Sequence, residues 1–192
     1  MATDAKTEKR ALRAEIRQRR RTQGELALAE QGKRVSRHLS EVVETHGASR
    51  VACYLAGEFE PNTRPFLDWA SEAGITVLLP VTREDGLLDW VVSDGASEHP
   101  HELGFPEAIG ELLGPIAVGD ADLIFVPAAS VDREGYRMGW GRGYYDRALG
   151  SMAGRPPVYA VVYDEEVVEA VPREVHDERV DAVITPSGIT RF

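Results

Sequence analysis

The chain has 192 residues, 43% of them hydrophobic, a single cysteine and a formal net charge of −10. This length buries a full core without disulfides or metal staples, so one domain over residues 1–192 is expected. The acidic balance argues against nucleic acid as a partner, and no apolar run nears the ~18 residues of a membrane span. The first twenty residues hold no apolar leader, so a cytoplasmic protein with no membrane partner is expected.

Charge is spread unevenly. Residues 1–21 hold eight Lys and Arg against three acids, and the remainder 14 basic against 29 acidic residues. Lys9, Arg13 and Arg17 recur at i, i+4 and i+8, with Leu12 and Ile16 on an adjacent face. That spacing predicts an amphipathic helix with one apolar edge on the body and a cationic stripe beside it. Pattern alone leaves open whether the stripe is solvated or meets a ligand. Thr22 and Glu25 read as a capping box for a second helix, with Leu28, Val35, Leu39 and Val42 on its buried face and Gly47 ending it. The helical segment thus covers about residues 4–46 and the body about 50–192.

The body alternates. VACYLA (51–56) reads as a buried strand, Asn62, Thr63 and Pro65 open a helix that runs to Gly74, and ITVLLPV (75–81) is the next strand. LLDWVV (87–92) reads as a strand nearer an edge, and 93–119 as mostly loop with one helical turn. ADLIFVPA (121–128), VYAVVY (158–163) and AVITP (182–186, the last) complete the strands. Continuous β-branched runs separated by helices indicate a largely parallel sheet covered on both faces, hence a three-layer α/β/α sandwich with an N-terminal helical segment. Cys53 lies in an apolar run and is expected to be a buried structural thiol.

The densest chemistry lies in DREGYRMGWGRGYYDR (132–147). Gly139, Gly141 and Gly143 alternate between Arg137 and Arg142 and lead into Tyr144, Tyr145 and Asp146. Glycines so spaced let a backbone approach a ligand, and guanidinium forks suit phosphate oxygens. If a short helix begins at Tyr144, its N-terminus adds partial positive charge, and Asp146 stands where it can hold a divalent cation beside phosphates. A Walker loop is excluded because Gly143 is followed by tyrosine, and a dinucleotide fingerprint because the run is GxGxG. A nucleotide phosphate site is the reading that remains.

RMGWGRGYYDR closely resembles the R-L-G-x-G-x-G-Y-Y-D signature of the 5-formyltetrahydrofolate cyclo-ligase (methenyltetrahydrofolate synthetase) family. DLIFVPAASVDREGYR resembles its DLIxxPxxxxDxxGxR stretch, EKRALR (8–13) its K-x-x-L-R element, GEFEPNT (57–63) its E-x-x-T stretch, and VPREVHDERVD (171–181) its P-x-E-x-H-D-x-x-x-D segment. Met138 stands where leucine is usual, Trp140 fills a variable position, Ala128, Ala129 and Val131 replace bulkier residues, and Ala108 replaces a second proline.

The resemblance implies ATP- and Mg²⁺-dependent closure of 5-formyltetrahydrofolate to 5,10-methenyltetrahydrofolate, with ADP and phosphate released. It implies nucleotide contacts from Lys9, Arg10, Arg13 and the run Arg137, Met138, Gly139, Trp140, Gly141, Arg142, Gly143, Tyr144 and Tyr145. Arg137, Arg142 and Tyr144 are the catalytic candidates, acting by position and charge. Leu55, Glu60, Trp140 and Tyr144 would meet the folate, and Asp146 and Asp177 would hold Mg²⁺. His176 beside Asp177 is read as structural, since the reaction needs no general base. A paralogue acting on another amide or formamide, and a nucleotide-binding module without turnover, are the competing readings. A monomer is expected, with a homodimer left open.

Overall fold

Strands rich in β-branched residues and buried on both sides form the centre of the protein, as continuous apolar runs require. The computed structural model describes residues 5–101, 104–174 and 177–192. Helices α1 (Ala5–Arg21) and α2 (Glu25–His46) lead into β1 (Arg50–Ala52), α3 (Arg64–Glu72), β2 (Thr76–Thr82) and β3 (Leu88–Val92). Strands β4 (Glu98–Pro100) and β5 (Pro106–Ala108) and a 3-10 turn at Pro115–Asp120 follow. Then come β6 (Leu123–Pro127), β7 (Ser130–Asp132), β8 (Arg137–Met138), α4 (Tyr144–Gly150) and β9 (Val158–Val161). After a 3-10 turn at Asp164–Glu166, β10 (Val167–Val168), β11 (Ala182–Thr185) and β12 (Gly188–Arg191) close the chain.

The main sheet has seven strands in the order β12-β11-β9-β6-β1-β2-β3. The five inner strands are parallel, and both edge strands run antiparallel to their neighbours. Successive side chains pass to opposite faces. Leu123 and Phe125 of β6 join the core under α2 and α3, with Val35, Leu39, Phe66 and Ala70. Ile124 and Val126 join the opposite core, with Leu149 of α4 and Ala117 and Val118 of the 3-10 turn. The expected three layers are present. Helix α1 belongs to neither core, because Leu12 and Ile16 pack on Ala129, Met138 and Val171. That contact lays α1 across the loop that follows β8.

Several local expectations are corrected. Thr22 does not cap α2: its hydroxyl donates back to Arg19 O at 2.7 Å. Gly24 is the N-cap and has no side chain with which to bond, while the Thr22 hydroxyl satisfies a carbonyl at the end of α1. Gly47 does end α2 in the left-handed conformation, with φ of 59°. The 93–119 region holds the β4–β5 hairpin, whose short polar strands lack an apolar alternation to announce them. AVITP is not the last strand, since β12 pairs with β11 as an exposed antiparallel edge. Cys53 is fully buried, which pushes its thiol up to about 12.

Candidate active site

A cleft of about 610 Å³ opens where the inner strands end. Tyr54 and Leu55 beyond β1, Pro80 and Thr82 at the end of β2, and Pro127 at the end of β6 line it. This is the carboxyl end of the parallel strands, where open α/β sheets place ligands. The loop after β8 forms one wall and α1 another.

Each of the three alternating glycines makes room for a different arginine. A Cβ on Gly139 would lie 3.0 Å from Arg137 Nη1, one on Gly141 3.1 Å from Arg13 Nη1, and one on Gly143 3.0 Å from Arg147 Nη1. Gly141 and Gly143 also take φ of 98° and 70°, where a side chain is strained. The arginines hold the loop as well as crowd it. Arg13 Nε donates to Gly139 O at 2.7 Å, and Arg147 donates to Arg142 O and to Gly86 O, both at 2.7 Å. The spacing read as close approach to a ligand is therefore first a close approach of guanidiniums.

Cations and carboxylates are matched across the cleft. Buried Lys9 donates to Asp177 Oδ2 at 2.6 Å and to Glu174 Oε2 at 2.8 Å. Burial lowers the Lys9 ammonium, but these two carboxylates outweigh it and leave the group raised. Arg137, buried beneath the loop, pairs with Asp146 Oδ1 at 2.7 Å. Burial, and then Arg17 beside it, lowers the Arg13 guanidinium, while Glu174, Asp177 and Asp146 pull it up. Both Asp146 and Asp177 line the cleft. Among the described residues no three His, Cys, Asp or Glu side chains gather as a metal cage. Mg²⁺ takes one or two protein oxygens and completes its shell with water and phosphate, and Asp146 and Asp177 are the kind of ligand it takes.

From the glycine loop, Trp140 Nε1 donates to Glu60 Oε1 at 2.9 Å, and Gly57 N–H donates to Glu60 Oε2 at 2.9 Å. Burial raises the Glu60 carboxyl above its ordinary range, against the pull of Gly57, Arg20 and Trp140. Arg20, 1% exposed, donates from Nε and Nη2 to the two oxygens of Glu166, both at 2.7 Å, and lies over the Trp140 ring.

Of the expected site residues, Lys9, Arg13, Arg137, Gly139, Trp140, Gly141, Arg142, Gly143, Tyr144 and Tyr145 line the cleft, as do Leu55 and Glu60. Two do not. Arg10 is exposed on α1 away from the cleft, and Met138 is buried against Ile16 and Val171. Arg142 extends into solvent at the rim. His176 lies outside the described residues. Arg20 and Glu174 also line the cleft, outside the expected site residues. Arg20 had a signal: eleven residues past Lys9 it returns to within about 20° of the same helical direction. Arg147, which braces the loop from α4, had none, because its partners are distant carbonyls.

A family model described as the 5-formyltetrahydrofolate cyclo-ligase family matches residues 5–186. A 5-formyltetrahydrofolate cyclo-ligase of Mycolicibacterium smegmatis is 38% identical over 71% of this chain and 73% of its own length. The Mus musculus protein of the same name is 27% identical over 95% of this chain and 96% of its own. The solved structure of Aquifex aeolicus 5,10-methenyltetrahydrofolate synthetase superposes with a TM-score of 0.79 at 28% identity, covering 95% of this chain and 92% of that one. With the cleft, its arginine-braced glycine loop and these matches taken together, the chain belongs to the 5-formyltetrahydrofolate cyclo-ligase family.

Proposed function

We propose that the protein converts 5-formyltetrahydrofolate and ATP to 5,10-methenyltetrahydrofolate, ADP and phosphate. One observation carries the reading: guanidiniums from α1, β8 and α4 converge on one glycine loop in a cleft of ligand size, with two carboxylates beside them. The formyl carbon on N5 is an amide carbon, and N10 cannot expel its oxygen unaided. Attack of the formyl oxygen on the γ-phosphorus breaks the bond to ADP and turns that oxygen into a leaving group. N10 then bonds the carbon, phosphate departs with the oxygen, and the N10 proton passes to water.

The chain's part is alignment and charge. Arg13 and Arg137 bind phosphate oxygens, Arg142 meets the transferring group from the rim, and Tyr144 bounds the reacting centre. The Tyr145 hydroxyl and Arg137 Nε are buried without partners among the described residues, which supports a polar ligand at this wall. Asp146 and Asp177 would hold Mg²⁺, which when bound neutralises phosphate charge during transfer. Lys9, now between Asp177 and Glu174, would then be released toward phosphate. Glu60 receives the pterin N–H groups, and Leu55 supports the ring.

The test is absorbance. Protein, ATP, Mg²⁺ and 5-formyltetrahydrofolate together should generate the near-ultraviolet band of methenyltetrahydrofolate, with ADP released in equal amount. ADP without that band would instead favour another amide or formamide substrate, and neither product would favour a binding module.

A further inference from the structure

Trp140 joins two walls that the sequence separates by 80 residues. It stands on the glycine loop between Gly139 and Gly141, while Glu60 stands on the loop that leaves β1. Its ring meets cations as well: the guanidinium carbons of Arg17 and Arg20 lie 5.1 and 4.9 Å from the ring centroid. Arg20 is itself fixed by Glu166 and by Ala128 O. The indole therefore has two guanidiniums on its ring and a carboxylate on its N–H.

We infer that Trp140 couples the two halves of the site, so that phosphates seated on the glycine loop set Glu60 for the folate and the folate in turn steadies the loop. The inference rests on the functional reading above. A carboxylate has about four lone-pair sites. Trp140 and Gly57 take one on each oxygen of Glu60, and they thereby set where the remaining lone pairs point. A glycine loop ordered by phosphates holds Trp140 still, and Glu60 with it. The conformational freedom of the loop is then lost only once for two ligands, which makes their binding cooperative, and linkage requires the effect to be mutual.

The same bond carries a pH signature. Glu60 faces Arg20 from α1, Glu166 from the 3-10 turn before β10, and the phenols Tyr54, Tyr145 and Tyr163 from three further segments. Among these neighbours the indole N–H favours the charged carboxylate. Removing it leaves Glu60 protonated to higher pH.

The experiment measures dissociation constants of the full chain by calorimetry, for 5-formyltetrahydrofolate with and without a non-hydrolysable ATP analogue and Mg²⁺. Trp140→Phe keeps a ring under Arg17 and Arg20 and drops the N–H. In the wild type each ligand should tighten the other about fivefold or more, and in Trp140→Phe by less than about twofold. The acid limb of folate binding should also move to higher pH in Trp140→Phe. Glu60→Gln, which has one acceptor oxygen for the two donors Trp140 and Gly57, should lose that limb altogether and much of the coupling, and it stands in if Trp140→Phe does not fold. Wild-type coupling and pH limb retained in Trp140→Phe would overturn the inference, as would two ligands that bind the wild type independently. Failure of the wild type to bind either ligand would overturn the functional reading itself.

Discussion

Arg13 donates from Nε to the carbonyl oxygen of Gly139 at 2.7 Å, so the first helix holds the backbone of a loop 126 residues away. Its Nη1 meanwhile occupies the space a side chain on Gly141 would need. One guanidinium thus shapes the loop and adds charge to the cleft. Arg13→Ala should lower kcat/KM by about ten- to hundredfold, the equivalent of a lost charge-assisted contact. Arg13→Lys should recover only part, since lysine keeps the charge without the fork. Arg10→Ala, exposed on the same helix, should stay near wild type in the same assay. Equal behaviour of Arg10→Ala and Arg13→Ala would remove α1 from the site.

The glycines can be tested one by one. Gly141→Ala meets both a φ of 98° and Arg13 Nη1 at 3.1 Å, so it should cost about 1–2 kcal/mol and reduce turnover. Gly139→Ala meets only Arg137 Nη1, at 3.0 Å, and should disturb activity more than stability. Gly154→Ala has nothing within 4 Å and should change the unfolding midpoint little. Denaturant titration beside steady-state kinetics separates the three.

Asp146→Asn keeps the shape of the carboxylate and one acceptor for Arg137. It should impair turnover more than folate binding and raise the Mg²⁺ concentration needed for half-maximal rate. Removing one partner of a fully buried pair costs about 3–5 kcal/mol, and the loss here should be smaller because Asn still accepts. A variant with unchanged Mg²⁺ dependence would leave Asp146 as only the partner of Arg137.

Glu60 predicts a trade of stability against function. Its carboxyl is raised by burial above the ordinary 4.5, so only between those two values does the folded state hold a proton that the unfolded state has released. Wild-type stability should therefore fall as pH rises from that ordinary value through the raised one. Glu60→Gln should lack that slope and be the more stable protein at neutral pH, while binding folate less tightly. Thermal midpoints across the acid-to-neutral range, compared for the two proteins, check the sign.

Arg20 and Glu166 are both about 1% exposed and bonded at two points. Arg20→Met should cost about 3–5 kcal/mol, because Glu166 is left buried without its cation. Pairing it with Glu166→Leu should return much of that stability in urea titrations, though not the support that Arg20 lends Trp140. A single variant as stable as the double one would mean that the pair contributes no buried charge.

Local spacing carried a good part of this protein. The register of α1, the αL end of α2 at Gly47, the inner strands and the glycine loop with Asp146 are all read within a few turns or residues of chain. There the backbone period and the conformational freedom of glycine leave direct marks. Arg20 is legible in the same helical period, eleven residues past Lys9. What stayed hidden depends on partners that chain order keeps apart. Lys9 meets Asp177 across 168 residues, and Trp140 meets Glu60 across 80. The arginines that fill the three glycines come from α1, β8 and α4, which only the sheet order and its crossovers bring to one end of the strands. β12 and the β4–β5 hairpin went unread because exposed edge strands need no apolar alternation. Sequence by itself marked the glycine loop, the cationic helix and most of the groups that line the cleft. Tertiary structure decided which cation faces which carboxylate, because electrostatic pairing depends on distance in space and not along the chain.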